Sequence, residues 1–328
     1  MIHRFQPTRY YNTLGWHEPA LHVDDGDTIV TSTIDAFGKD EHDKSVWQRG
    51  NPMSGPFYVT GASPGDTLAV HIDKIKPNRT TGYTYNAIAA NVLDPDYVRD
   101  MPEGKLVAWE INVAKKTATL RDESPVTSHK SGKQVMRESN NKPVKSSQLS
   151  QPANLRTLAI PLTPMIGCFG VAPARQQAIA TATSGTHGGN MDYNGWMAGV
   201  TAYFPVFAEG ALFHLGDVHA VQGDGEIVGT GIEISAEVRF TVRVIKGKTI
   251  GWPRGENRNY IWTVGNARPL DQCVQHATTE MLRWLQSDYG ISVRHASNIL
   301  GQCVKYDLGN IFDPAYTMVC RLAKRFLK

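Results

Sequence analysis

From Ile232 to Phe240 the chain reads IEISAEVRF, and apolar and polar residues alternate without a break. Ile232, Ile234, Ala236, Val238 and Phe240 fall on one side, and Glu233, Ser235, Glu237 and Arg239 on the other. Successive side chains of a strand point to opposite faces, so the pattern predicts a β-strand with one dry face and one wet face. A helix would scatter the same residues around its circumference. A half-buried strand must pair along its edges and have its apolar face covered, so the rest of the chain has to supply further strands.

It does. LHVDDGDTIVTSTIDAF (21–37) and GASPGDTLAVHIDKIKP (61–77) each set Gly-Asp-Thr before an alternating run, a turn leading into a half-buried strand. RTLAIPLTP (156–164), VTAYFPVFAEGALFHL (200–215) and EIVGTGIEISAEVRFTVRVIKG (226–247) continue the pattern. Residues 1–122 are expected to form an N-terminal β-rich region, a sandwich or barrel, and residues 156–265 a second β-rich core. Between them, 123–155 is dominated by Ser, Lys, Asn, Gln and Pro and is expected to be a polar linker or insertion.

The period changes in 266–328. After Pro269, Val274, Ala277, Met281 and Trp284 recur at three- and four-residue spacing, the stripe of a helix. SVRHASNILG (292–301) predicts a second helix, with Ser292 as N-cap and Gly301 as stop, and AYTMVCRLA (315–323) a returning strand. The expected fold is therefore mainly β, with sandwich- or barrel-like regions and a small α/β C-terminal portion.

Composition removes several function classes. Of 328 residues, 41% are hydrophobic and 20% charged, which suits a packed globular chain. The 34 basic and 31 acidic residues nearly cancel, so no basic face for nucleic acid is expected. No run of about 18 apolar residues predicts a membrane span, and MIHRFQPTRYYNTLGW lacks the apolar segment of a signal peptide, so the expected location is cytoplasmic. Cys168, Cys273, Cys303 and Cys320 are far apart and form no CxxC pair, which argues for reduced thiols and against a zinc ribbon.

The densest ionisable stretch is GDVHAVQGDGE (216–226), with Asp217, His219, Asp224 and Glu226. Gly-Asp-Gly is also ordinary turn chemistry, so a plain hairpin tip is one reading. If ALFHLGDVHAV is a strand, QGDG the turn and EIVGTGIEI the return, Asp217 and His219 share a face and Glu226 begins the next strand beside them. Such a hairpin offers ligands for a divalent cation together with a general base. HGGNMD (187–192) is a second candidate: its glycines allow close backbone approach, and His187, Asn190 and Asp192 supply polar groups. Asp35, at the end of an apolar run, is a third. No GxSxG, HExxH or P-loop motif is present, and Cys168 in IGCFG reads as a buried small residue without an identifiable base.

NPMSGPFYVTGASPGDTL (51–68), IGCFGVAP (166–173), HGGNMD (187–192) and GALFHLGDVHAVQGDGE (210–226) together resemble the acetamidase/formamidase family. The resemblance runs through nearly the whole chain and is weakest over 123–155. It implies hydrolysis of a short-chain amide, formamide or acetamide, to a carboxylate and ammonia on a β-rich scaffold. An amide resists attack because of its resonance, and a metal-activated water would overcome it. With residue chemistry and the resemblance combined, Asp192, Asp217 and His219 are expected as metal ligands, with Asp35 as a further one. Glu226 is expected as the catalytic base, and His187, Asn190 and Gln222 as substrate-binding groups.

One imidazole among carboxylates favours zinc, with calcium or magnesium as alternatives. The expected partners are a small-molecule amide and further copies of the same chain, a homodimer in the simplest case. Two other readings stay open: a non-catalytic β-sandwich binding protein with a structural cation, and a hydrolase of another amide or a cyclic imide.

Overall fold

The computed structural model describes residues 1–121 and 158–327, and the expected polar linker at 123–155 lies outside them. The fold is dominated by β-strands. Nine strands form one sheet in the order Ile2–Phe5, Thr28–Thr33, Ala236–Ile245, Thr67–Pro77, Val200–Pro205, Arg254–Glu256, Tyr260–Ala267, Tyr316–Ala323, Lys305–Asn310. Six form a second sheet, ordered Ser184–Gly185, Gly188–Asn190, Met165–Gly170, Phe213–His219, Ser54–Val59, Leu21–Val23. A four-stranded sheet runs Ala159–Pro161, Thr117–Arg121, Leu106–Asn112, Thr81–Tyr85. Strands from both ends of the chain interleave in the largest sheet, so the segments set apart by composition do not separate in space.

The two larger sheets face each other. Phe57 and Phe213, from the six-stranded sheet, each lie 5.4 Å centroid to centroid from Phe240 of the nine-stranded sheet, and Phe169 meets Phe204 at 5.3 Å across the same gap. Edge-to-face and tilted rings of this kind join the layers of a sandwich, and most of the core is buried between them.

Alternation in 232–240 holds with a correction. The strand itself is Ala236–Ile245, and Glu237 and Arg239 take the wetter positions. Glu233 and Ser235, expected to be wet, are buried. Glu233 turns toward His219, and the Ser235 hydroxyl donates to Asn78 Oδ1 at 2.7 Å, while Tyr83 pairs with Glu233 through backbone bonds of 3.2 and 2.9 Å.

The C-terminal portion is α/β as expected. Helix Leu270–Tyr289 follows Pro269 and turns Ala277, Met281, Trp284 and Leu285 onto Ile261, Cys320 and Leu322 of the sheet. Ser292 caps the second helix, its hydroxyl accepting from the His295 amide. That helix runs through Gly301 to Cys303 and stops where Val304 turns extended, so Gly301 is not its terminator. Among the described residues no helix is long and apolar enough to cross a membrane.

Candidate functional site

The strand Phe213–His219 carries Asp217 and His219 to one end of the six-stranded sheet, with His219 Nε2 3.4 Å from Asp217 Oδ1. The expected return strand forms in a different place. His219 bridges Glu233, the Ala220 amide donates to Ile232 O and the Ile232 amide to Val221 O, while residues 223–229 stay out of the ladder. Their backbone is engaged elsewhere: the Gly225 amide donates to Leu308 O at 3.0 Å, and the Ile311 amide donates to Gly225 O at 2.9 Å. Glu226 therefore reaches His219 from a loop, with Oε1 4.0 Å from Nε2. Glu233, from the true return, is nearer at 3.0 Å.

Asp192 enters from the other side, past the short strand Gly188–Asn190, held by its amide on Gly167 O at 3.1 Å. Gly167 is obligatory here. A Cβ at that position would come within 2.4 Å of Asp192 Oδ1 and 2.7 Å of Asp217 Oδ2. Three of the carboxylate residues, Asp192, Asp217 and Glu226, have left-handed backbones, with φ of 38°, 54° and 47°. Non-glycine residues rarely adopt that region, and its concentration in one cluster marks a functional constraint.

Two further residues come from the C-terminal loop. Asn310 is fully buried, and its amide donates to Asp192 Oδ2 at 2.8 Å, Glu226 Oε2 at 3.0 Å and Asp313 Oδ2 at 2.8 Å. Asp313 also accepts from Asn190, while Asn51 donates to Asn190 Oδ1 and Asp217 Oδ2. Asn310, Asp313, Asn51 and Glu233 are functional candidates that the sequence reading missed. Asn310 and Asp313 stand in NIFDP, an Asn-x-x-Asp turn whose local signal is only that of a turn.

The remaining expected residues lie differently. Gln222 is not among the residues lining the cleft above the acidic cluster. Its amide nitrogen, Nε2, donates to the carbonyls of Asp192 and Gly309, which fixes Oε1 toward His219 Nδ1 at 2.8 Å. The ring must then donate from Nδ1, leaving Nε2 directed at the carboxylates. Asp35 is not among the grouped ligands: it accepts from Arg79 at 2.5 Å and from the amides of Phe37 and Lys39, and Arg79 in turn reaches Glu233 O. That pairing leaves Asp35 as a brace behind Glu233. His187 is buried away from the cleft, and burial pushes its imidazole down to about 4.

The electrostatics are extreme. Asp192, Asp217, Glu226, Glu233 and Asp313 are all buried around one imidazole. Burial first, and then mutual repulsion, pushes Asp192 well above the carboxylate range, and burial likewise raises Glu226. Burial lifts Glu233 to about 8 and Asp313 to about 6. Burial alone would lower His219, but Glu233 and Asp217 outweigh it and hold the ring well above its usual value. Such a cluster needs either protons or a cation. The fit to a divalent ion is supported by two ligand groups that share His219, one with Asp192 and Glu226 and one with Asp217 and Glu233. Among the described residues, His219 Nε2, Asp192 Oδ1 and Glu233 Oε2 are also buried without hydrogen-bond partners. Cys168 is fully buried, and its thiol is pushed far up by burial, which leaves it inert as a nucleophile.

Fold and site together define a β-sandwich protein with a buried acidic centre, built around one imidazole and suited to a divalent cation. The chain belongs to the Acetamidase/Formamidase family, whose model matches residues 6–298. It is 29% identical to an acetamidase of Mycolicibacterium smegmatis, over 75% of this chain and 63% of that one. It is 26% identical to a formamidase of Methylophilus methylotrophus, over 59% of this chain and 51% of that one. The chain thus spans less than two thirds of the length of these two relatives. A solved acetamidase from Yersinia enterocolitica superposes with a TM-score of 0.79 at 28% identity, covering 100% of this chain and 93% of that one.

Proposed function

We propose that this protein hydrolyses the C–N bond of a linear amide to a carboxylate and ammonia, with formamide and acetamide as the first substrates to test. The observation that carries the reading is the convergence of five buried carboxylates on His219, with ligand atoms of His219, Asp192 and Glu233 unpartnered. The names of the relatives support the same reaction.

In this reading His219, Asp192 and Asp217 hold the cation, joined by Glu233 through its contact with His219. The single imidazole favours zinc over ions that prefer oxygen alone. Bound there, the cation would lower the pKa of a water to about 7 and draw electron density from the amide carbonyl. Gln222 keeps the His219 tautomer that leaves Nε2 available. Glu226 is the proton carrier: Asn310 fixes Oε2, leaving Oε1 for the water. As the water oxygen bonds to the carbonyl carbon, Glu226 takes its proton, and it returns the proton to nitrogen as the C–N bond breaks. Burial, which raises the Glu226 pKa, makes the carboxylate a better base than an exposed one.

Ammonia release from formamide and acetamide, measured beside metal content before and after chelation, tests this. Release that stops on metal removal and returns on reloading supports the reading. Folded, metal-loaded protein that releases no ammonia from any linear amide would overturn it in favour of a binding protein.

A further inference from the structure

The acidic cluster is the floor of a cleft with a volume of about 490 Å³. Formamide and acetamide have three and four non-hydrogen atoms and would occupy on the order of 100 Å³, taking about 30 Å³ for each water-sized group. The cleft is instead the size that takes larger organic ligands. Its outer walls are aromatic. Phe37 and Tyr85 meet edge to face at 6.3 Å, and Arg49 tightens that corner by donating to the Tyr85 hydroxyl at 3.0 Å while lying 5.8 Å over the Phe37 ring. Phe312 closes the other side over Gly229, yet it remains 41% exposed. Phe312 thus joins Phe37 and Tyr85 in lining one cleft, three aromatic rings around the mouth of an otherwise polar site. The Phe312 amide donates to Asn310 Oδ1 at 2.7 Å, so the loop that presents this ring also holds Glu226 through Asn310.

We propose that the outer cleft is an acyl pocket, and that this chain prefers primary amides bearing a flat apolar ring, of the benzamide or phenylacetamide class, over formamide and acetamide. The inference rests on the amide hydrolysis proposed above. The carboxamide lies on the acidic floor and the ring extends between Phe37, Tyr85 and Phe312. Burial of that ring is made equally in substrate and transition state, so it lowers KM and raises kcat/KM.

The test compares kcat/KM for formamide, acetamide, benzamide and phenylacetamide with metal-loaded protein. At least one aromatic amide should exceed acetamide by tenfold or more, and Phe312→Ala should reduce that ratio at least fivefold. Phe312→Leu, which keeps bulk without the ring, serves as a second variant with a smaller effect on folding. Acetamide turned over as well as both aromatic amides, or a ratio unchanged in both variants, would overturn the acyl pocket and leave amide hydrolysis standing. Silence on all four amides would overturn both.

Discussion

Glu226 and Glu233 both approach His219, and single substitutions separate holding a cation from moving a proton. Glu226→Gln keeps size and a hydrogen-bond acceptor but cannot take a proton at neutral pH, so metal content should be unchanged while turnover falls by roughly 10²–10⁴-fold. His219→Ala should lose metal and activity together. Gln222→Leu removes the group that sets the His219 tautomer, and titration with a competing chelator should find metal bound about 10–100-fold more weakly. Gly167→Ala brings a methyl group within 2.4 Å of Asp192 Oδ1, and the purified variant should contain little metal. At this scale the sequence was partly legible. Asp217 and His219 stand two apart on an apolar run, and Asp192 lies in a glycine-rich motif, which are local signals. Glu233 was hidden by its own alternating pattern, because a polar position on a strand reads the same whether it faces water or, as here, a buried imidazole. Asn310 is 84 residues from Glu226, and nothing near it in sequence announces that contact.

At the scale of elements, the sandwich and the helix each depend on a few buried joints. Phe240 is where the two sheets meet Phe57 and Phe213, and Phe240→Ala should cost about 3–5 kcal/mol in denaturant unfolding. Helix Leu270–Tyr289 is fastened to the strand Arg254–Glu256 by the Glu280–Arg254 pair, 2.6 Å apart and buried on both sides. Glu280→Gln would leave the guanidinium buried without a countercharge, at a cost of about 3–5 kcal/mol, whereas an exposed pair would contribute about 1 kcal/mol or less. The long strands and the helix were predictable because their periods are set by their own residues. The segment 223–229 was not: its glycines and alternating residues suit a hairpin return, but the backbone bonds that a hairpin would use are satisfied by residues 308–311.

For the whole molecule, the acidic centre couples metal binding to stability and pH. Without a cation, burial pushes the Glu233 carboxyl up to about 8 and that of Asp313 up to about 6, from ordinary values of 4.5 and 3.8. A raised carboxyl contributes stability below its unfolded pKa that is lost as pH rises through the folded one. The metal-free protein should therefore lose stability from about pH 4 to 8, and calorimetry should find the Tm gap between loaded and metal-free protein widening across that window. An unchanging gap would mean that the cluster does not bind the cation. The sequence by itself determined the class of fold and the β-to-α change of period, because both follow from side-chain spacing along the chain. It also carried the motifs that point to an amide-hydrolysing family. Only the tertiary structure decided which carboxylates gather at His219, which residue fixes its tautomer, and how large a cleft lies above it. Those features arise from loops docking across long sequence separations, and burial then gives each ionisable group a chemistry that no local pattern specifies.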